Sequence, residues 1–232
     1  MILKNYDRKL IPELPKLVRT NVGGNRHYET PNGSYPSITS VLSIRDKEGI
    51  LEWRKRVGNE EANRIMKKAA TRGTQFHSLM EKYFLNEIDD FDSFSGDALA
   101  KNPAVWFLFL EAVQILEKKV GDIYCIEDYL YSDEYEVAGA VDMIAEYDGV
   151  TSVVDFKTSN KEKKEEWIEN YFIQGTAYAK MFTERTSIPC EQLVIFIMPD
   201  NGIPQIFVKS VDDYIPQLIT AIEDFKIYQK KT

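Results

Sequence analysis

The chain has 232 residues, enough for one enlarged domain with a sizeable core. Hydrophobic residues make up 44% of it and charged residues 28%, an ordinary globular composition that excludes a disordered, collagen-like or disulfide-scaffold protein. A net charge of −8 argues against a protein that coats polyanions by bulk electrostatics.

In chain order, the Gly- and Pro-rich stretch from Asn21 to Ser37 reads as a hairpin leading into a helix. Ser37 or Thr39 is placed to cap a short helix through Leu42. A longer helix is expected from Lys47 to about Ala70, ending at Arg72-Gly73. Between Leu51 and Met80, seven basic residues (Arg54, Lys55, Arg56, Arg64, Lys67, Lys68, Arg72) face three acidic ones (Glu52, Glu60, Glu61), a local excess of +4 that could track a phosphate backbone. A second helix, Thr74 to Leu85, aligns Phe76, Leu79, Met80, Tyr83 and Phe84, leaving His77 and Glu81 four apart on one face. Pro103 opens a strongly apolar helix to Val120.

After Gly121 the period becomes extended. Ile123 to Tyr131, Tyr135 to Tyr147 and Val150 to Lys157 read as a three-strand antiparallel meander. A helix from about Lys164 to Thr186, strands at Gln192 to Met198 and Gln205 to Lys209, and a helix from Val211 to Lys230 follow. This order predicts a mixed α/β (α+β) fold, a central mixed sheet flanked by helices with an N-terminal helical elaboration. Residues 1–72 are expected to form the hairpin and basic helical region and 73–232 the core, together one compact domain.

No apolar run approaches the roughly 20 residues of a membrane span. The opening MILKNYDRKLIPELPKL lacks the basic and long apolar regions of a secretion signal, so a cytoplasmic protein without a membrane partner is expected. Cys125 and Cys190 stand alone, which excludes a four-cysteine zinc site or iron–sulfur cluster. With only His27 and His77 available, a metal site must lean on carboxylates, which points to Mg²⁺ or Mn²⁺.

The chemistry concentrates in GAVDMIAEYDGVTSVVDFKTS, Gly139 to Ser159. Asp148-Gly149 is a strong hairpin signal. With those two residues as the loop, Tyr147 faces Val150 and Asp142 falls opposite Asp155, with Lys157 two residues on and on the same face. If Ser132 to Tyr135 form the preceding turn, Glu127 falls opposite Ala140 and joins that face. Opposed carboxylates repel in a bare hairpin, and a bound divalent cation reverses that sign.

The pattern D-x₁₂-D-F-K, Asp142 to Lys157, resembles the core motif of the PD-(D/E)xK nucleases, with Val141 in the proline position. RGTQFHSLMEKYF around His77 and QGTAY from Gln174 to Tyr178 narrow the resemblance to the RecB-like exonuclease branch. It implies a restriction-endonuclease-like core and one or two Mg²⁺ or Mn²⁺ ions held by His77, Asp142, Asp155 and the Phe156 carbonyl. Lys157 would then be the catalytic lysine, Glu127 an accessory acid, and Glu81 a partner orienting the imidazole. Gln174 and Tyr178 would contact DNA or support the lysine.

YPSITSVLS, Tyr35 to Ser43, before a basic helix resembles the opening of phage and mitochondrial genome-maintenance exonucleases, in which helices arch around single-stranded DNA. By that resemblance Arg54, Lys55, Lys67, Lys68 and Arg72 would meet phosphates, and Tyr35 or Trp53 would stack on bases. The expectation is a metal-dependent DNA exonuclease working beside replication or recombination proteins, in the host cytoplasm if phage-encoded. An endonuclease of the same fold and a non-catalytic nucleic-acid-binding module stand as alternatives.

Overall fold

The computed structural model describes residues 4–231. A small antiparallel sheet comes first, with β1 (Val18–Val22), β2 (Asn25–Thr30) and β3 (Gly33–Pro36) in that order. It contains two hairpins where one was expected: Gly23-Gly24, both at positive φ, close the first, and Pro31-Asn32 close the second. Ser37 caps α1 (Ile38–Ser43), its hydroxyl accepting from the Ser40 amide.

The next helices divide differently from the expectation. α2 (Lys47–Val57) stops at Gly58, where φ is 86°, and α3 (Asn59–Phe84) then runs unbroken through Arg72 and Gly73. A mid-helix glycine costs only about 1 kcal/mol. Each large side chain that α3 buries, Phe76, Met80, Tyr83 and Phe84 among them, contributes roughly 1.5–3 kcal/mol and outweighs it. Residue 72, the boundary drawn from the sequence, therefore lies inside one helix.

α4 (Phe91–Lys101), unanticipated, rests Phe91 and Phe94 on Trp106. Asn102 then caps α5 (Pro103–Leu116), which ends before Val120 because Val120 already opens a strand.

The main sheet has the order β4 (Val120–Ser132), β5 (Val137–Tyr147), β6 (Val150–Ser159), β7 (Gln192–Pro199) and β8 (Gln205–Ser210). The first three strands are the expected meander. β6 and β7 pair in parallel, a connection that needs a crossover, supplied by α6 (Glu169–Thr186); α7 (Ile215–Lys231) closes the chain. Alternate residues of β6 and β7 feed two cores. Val153, Leu193 and Ile195 pack with α6 and α7, whereas Val154, Phe156, Val194 and Phe196 pack with α3 and α5. The result is the mixed sheet flanked by helices that the sequence predicts. Among the described residues, no helix is long and apolar enough to cross a membrane.

Candidate metal centre

Asp148 (φ 50°) and Gly149 (φ 80°) form the tight turn between β5 and β6, and the register follows from it as expected, from Tyr147↔Val150 to Met143↔Val154. The next pair is Asp142 and Asp155, and there the ladder opens. The Phe156 amide, instead of pairing with β5 backbone, donates to Asp142 Oδ2 at 2.8 Å.

On the other side of β5 the register differs from the expectation by two residues. The turn occupies Asp133 to Glu136, so Ser132 pairs with Val137 and Ile126 with Met143, leaving Glu127 opposite Asp142 rather than Ala140. An even slip keeps the face and brings the acid closer. Glu127 has φ 51°, a left-handed conformation unfavourable for a residue with a Cβ, in the middle of a strand.

The imidazole of His77 reaches this gap from the α3 layer. Its Nε2 lies 2.8 Å from the Phe156 carbonyl oxygen. A carbonyl only accepts, so Nε2 carries the hydrogen and Nδ1 is the nitrogen left for an ion. Nδ1 faces Asp142 Oδ1 at 3.5 Å and Glu127 Oε1 at 3.6 Å. One ligand atom from each of His77, Glu127 and Asp142 lies within 4.8 Å of the others, the compact N/O donor set that a hard divalent cation takes.

The remaining expected ligands are engaged differently. The Phe156 carbonyl orients the imidazole, a hydrogen bond of the kind that fixes metal-binding histidines. Asp155 is buried at 1% exposure and pairs with Lys157 through both carboxylate oxygens: Oδ1 accepts a hydrogen bond from Nζ at 2.7 Å, and Oδ2 lies 2.5 Å from the same nitrogen. Glu81 lines the cleft with His77 and Glu127 but does not hold the imidazole, because the carbonyl already occupies Nε2 and Nδ1 faces the other two acids.

Electrostatics follow from this crowding. Burial opposes charge on His77, but the facing Asp142 and Glu127 carboxylates outweigh it and raise its pKa to about 9. Burial pushes the Asp155 carboxyl up despite the lysine beside it. Lys157, although burial works against its charge, is held above the ordinary lysine value by Asp155 and Asp142. Glu81 is raised by burial and by the Glu127 charge.

Lys157 has a further neighbour that sequence reading missed. Its Nζ lies 5.2 Å from the ring centroid of Tyr171, on the first turn of α6 and three residues before Gln174. That spacing beside QGTAY was the available signal. Gln174 is half-buried and donates to the Tyr178 hydroxyl at 3.3 Å. Tyr178 itself is 2% exposed and packs over Gly139, so the structure makes it a buried support rather than a surface contact for DNA.

The basic residues part company. Arg72 is buried and bonds Thr158 Oγ1 at 3.1 Å, Asn160 Oδ1 at 2.7 Å and the Asp200 carboxylate, which removes it from the phosphate contacts. The uninterrupted helix is the reason, since it carries Arg72 over the end of β6. From residue 47 to 71 only Ala62 is buried, so α2 and the first half of α3 form an exposed arm. Arg54 bonds Asn63 Oδ1 at 2.7 Å; Trp53 is half-buried, and Lys55, Lys67 and Lys68 are exposed. Lys67 and Lys68 line a groove of about 690 Å³ with Arg64 and Phe107. Lys68 lies about two and a half helical turns from His77, hence on the opposite side of α3. Tyr35 is half-buried and gives its hydroxyl to Asp133 at 2.9 Å.

No family model matches the chain. Mitochondrial genome maintenance exonuclease 1 of Homo sapiens is 27% identical over 61% of this chain and 39% of that protein. The chain thus spans about two-fifths of the length of the curated relative it matches. A crystal structure of a candidate exonuclease from Eubacterium rectale aligns with a TM-score of 0.44 and 16% identity, covering 66% of this chain and 64% of that one.

Proposed function

We propose that the chain is a divalent-metal-dependent deoxyribonuclease that removes nucleotides from the ends of single-stranded DNA. The observation that carries this reading is the meeting of His77 Nδ1, Glu127 and Asp142 at the opened β5–β6 ladder, with the Lys157–Asp155 pair beside them. These three side chains would hold a Mg²⁺ or Mn²⁺ ion. The buried Asp155 carboxylate, paired with Lys157, would offer a further oxygen donor. Bound there, such an ion would acidify a water and draw charge from a phosphoryl oxygen.

The chain's own groups do the rest. The Phe156 carbonyl keeps Nδ1 of His77 turned to the acids. Lys157, held beside these acids by its ion pair with Asp155, would orient the attacking water and face developing phosphate charge. The exposed arm, with Arg54, Lys55 and Lys67 as cations and Trp53 as an aromatic face, is the surface for a flexible single strand, whereas Lys68 points away from the His77 side of α3.

End-labelled linear and circular single-stranded DNA, incubated with Mg²⁺, Mn²⁺ or chelator, tests the proposal. Linear DNA should be shortened with either ion and left intact with chelator, while circles persist. Cleavage of circles would indicate an endonuclease, and cleavage in chelator would overturn the metal mechanism.

A further inference from the structure

We propose that Tyr171 is the positioning residue for the Lys157 ammonium, keeping it at the ion site when Asp155 loosens its hold; this rests on the metal reading above. In the structure Lys157 is held from two sides, by the Asp155 carboxylate and by the face of Tyr171, 5.2 Å from its ring centroid. Asp155 follows the same opening of the ladder as His77, Glu127 and Asp142, so a divalent cation held by those three would compete with Lys157 for its carboxylate. The ammonium would then lose part of its anionic partner and keep the ring.

Tyr171 is built to stay in place. Its amide donates to the Ile168 carbonyl at 2.8 Å, and its side chain packs on the core shared by α6 and α7. The two residues before it are fastened to the base of the arm: Glu169 pairs with Arg45 at 2.7 Å, and the Asn170 amide donates to both Asp46 carboxylate oxygens at 3.0 Å. The arm's root and the lysine's aromatic support therefore share one turn of helix. Because the contact is with the ring face, phenylalanine should replace tyrosine and leucine should not.

The test is calorimetric titration of Mn²⁺ into wild type, Tyr171→Leu, Tyr171→Phe, Lys157→Met and the Lys157→Met/Tyr171→Leu double variant, with thermal melts to verify folding. The leucine variant should bind Mn²⁺ about tenfold more weakly and lose a similar factor in kcat on linear single strands, with KM unchanged. Phenylalanine should restore both, and leucine should have no further effect once Lys157 is methionine. Where leucine lowers stability, Tyr171→Met repeats the test with a longer, more adaptable side chain of similar volume. Wild-type affinity in the leucine variant, or an undiminished leucine effect in the Lys157→Met background, would overturn the proposal and leave Tyr171 a packing residue. Failure of the wild-type protein itself to bind Mn²⁺ would instead overturn the metal reading beneath it.

Discussion

At its closed end the β5–β6 ribbon pairs every residue from Tyr147↔Val150 to Met143↔Val154, whereas one residue further on, at Asp142 and Asp155, the pairing stops. The same two strands thus have a saturated half and an unsaturated half. In the closed half, backbone groups satisfy one another and Val153 and Val154 fill the two cores. In the open half, the Phe156 amide turns to a carboxylate and its carbonyl to an imidazole. Chemistry becomes available where the ladder ceases to consume its own hydrogen-bonding groups.

Substitutions across this boundary should separate the halves. Asp142→Ala removes one proposed ligand and the acceptor of the Phe156 amide, and should lower the rate of single-strand degradation by about 10³-fold. Thr151→Ala, in the closed half and opposite Glu146, should stay within about twofold of wild type. Initial rates with Mn²⁺ on an end-labelled oligonucleotide measure both. Equal losses would mean that the ribbon matters as scaffold alone.

A second contrast concerns glycines at the two ends. A Cβ on Gly139, beyond the opening, would lie 2.8 Å from a Tyr178 ring carbon, and so Gly139→Ala should destabilise the fold by about 1–3 kcal/mol through overpacking. At the closed turn, Gly149 has φ 80° and nothing within 4 Å, so Gly149→Ala incurs only backbone strain of about 1–2 kcal/mol. Urea unfolding of both variants, with unchanged m-values, gives the comparison.

The open half should also carry a pH signature that the closed half lacks. With no ion bound, His77 is raised to about 9, so at neutral pH a cation must displace the Nδ1 proton. Apparent Mn²⁺ affinity should therefore rise about tenfold per pH unit up to about 9 and then level off, with close to one proton released per ion. Titrations in buffers of different ionisation enthalpy count the protons. Affinity that is flat from pH 6 to 9 would remove His77 from the ligands.

Much of this architecture was legible from local rules. Asp148-Gly149 determined the turn and, through it, the Asp142/Asp155 level, and Pro103 and Ser37 marked helix starts. What local rules missed depended on long-range packing. The Arg72-Gly73 break vanished because α3 gains more from burying Phe76 and Met80 than glycine costs, and the same continuity buried Arg72 against Asp200. Glu127 was displaced by two residues because the turn before β5 contains no glycine to reveal its position. The arrival of His77 from the α3 side and of Lys157 beside Tyr171 on the α6 side is a property of the layers, which no single motif contains.

The most direct test of the central claim is an anomalous difference map from crystals grown with Mn²⁺. One strong peak is predicted between His77 Nδ1, Glu127 and Asp142, within coordinating distance of all three. A peak elsewhere, or an empty gap in crystals of a protein that binds Mn²⁺ in solution, would contradict the account.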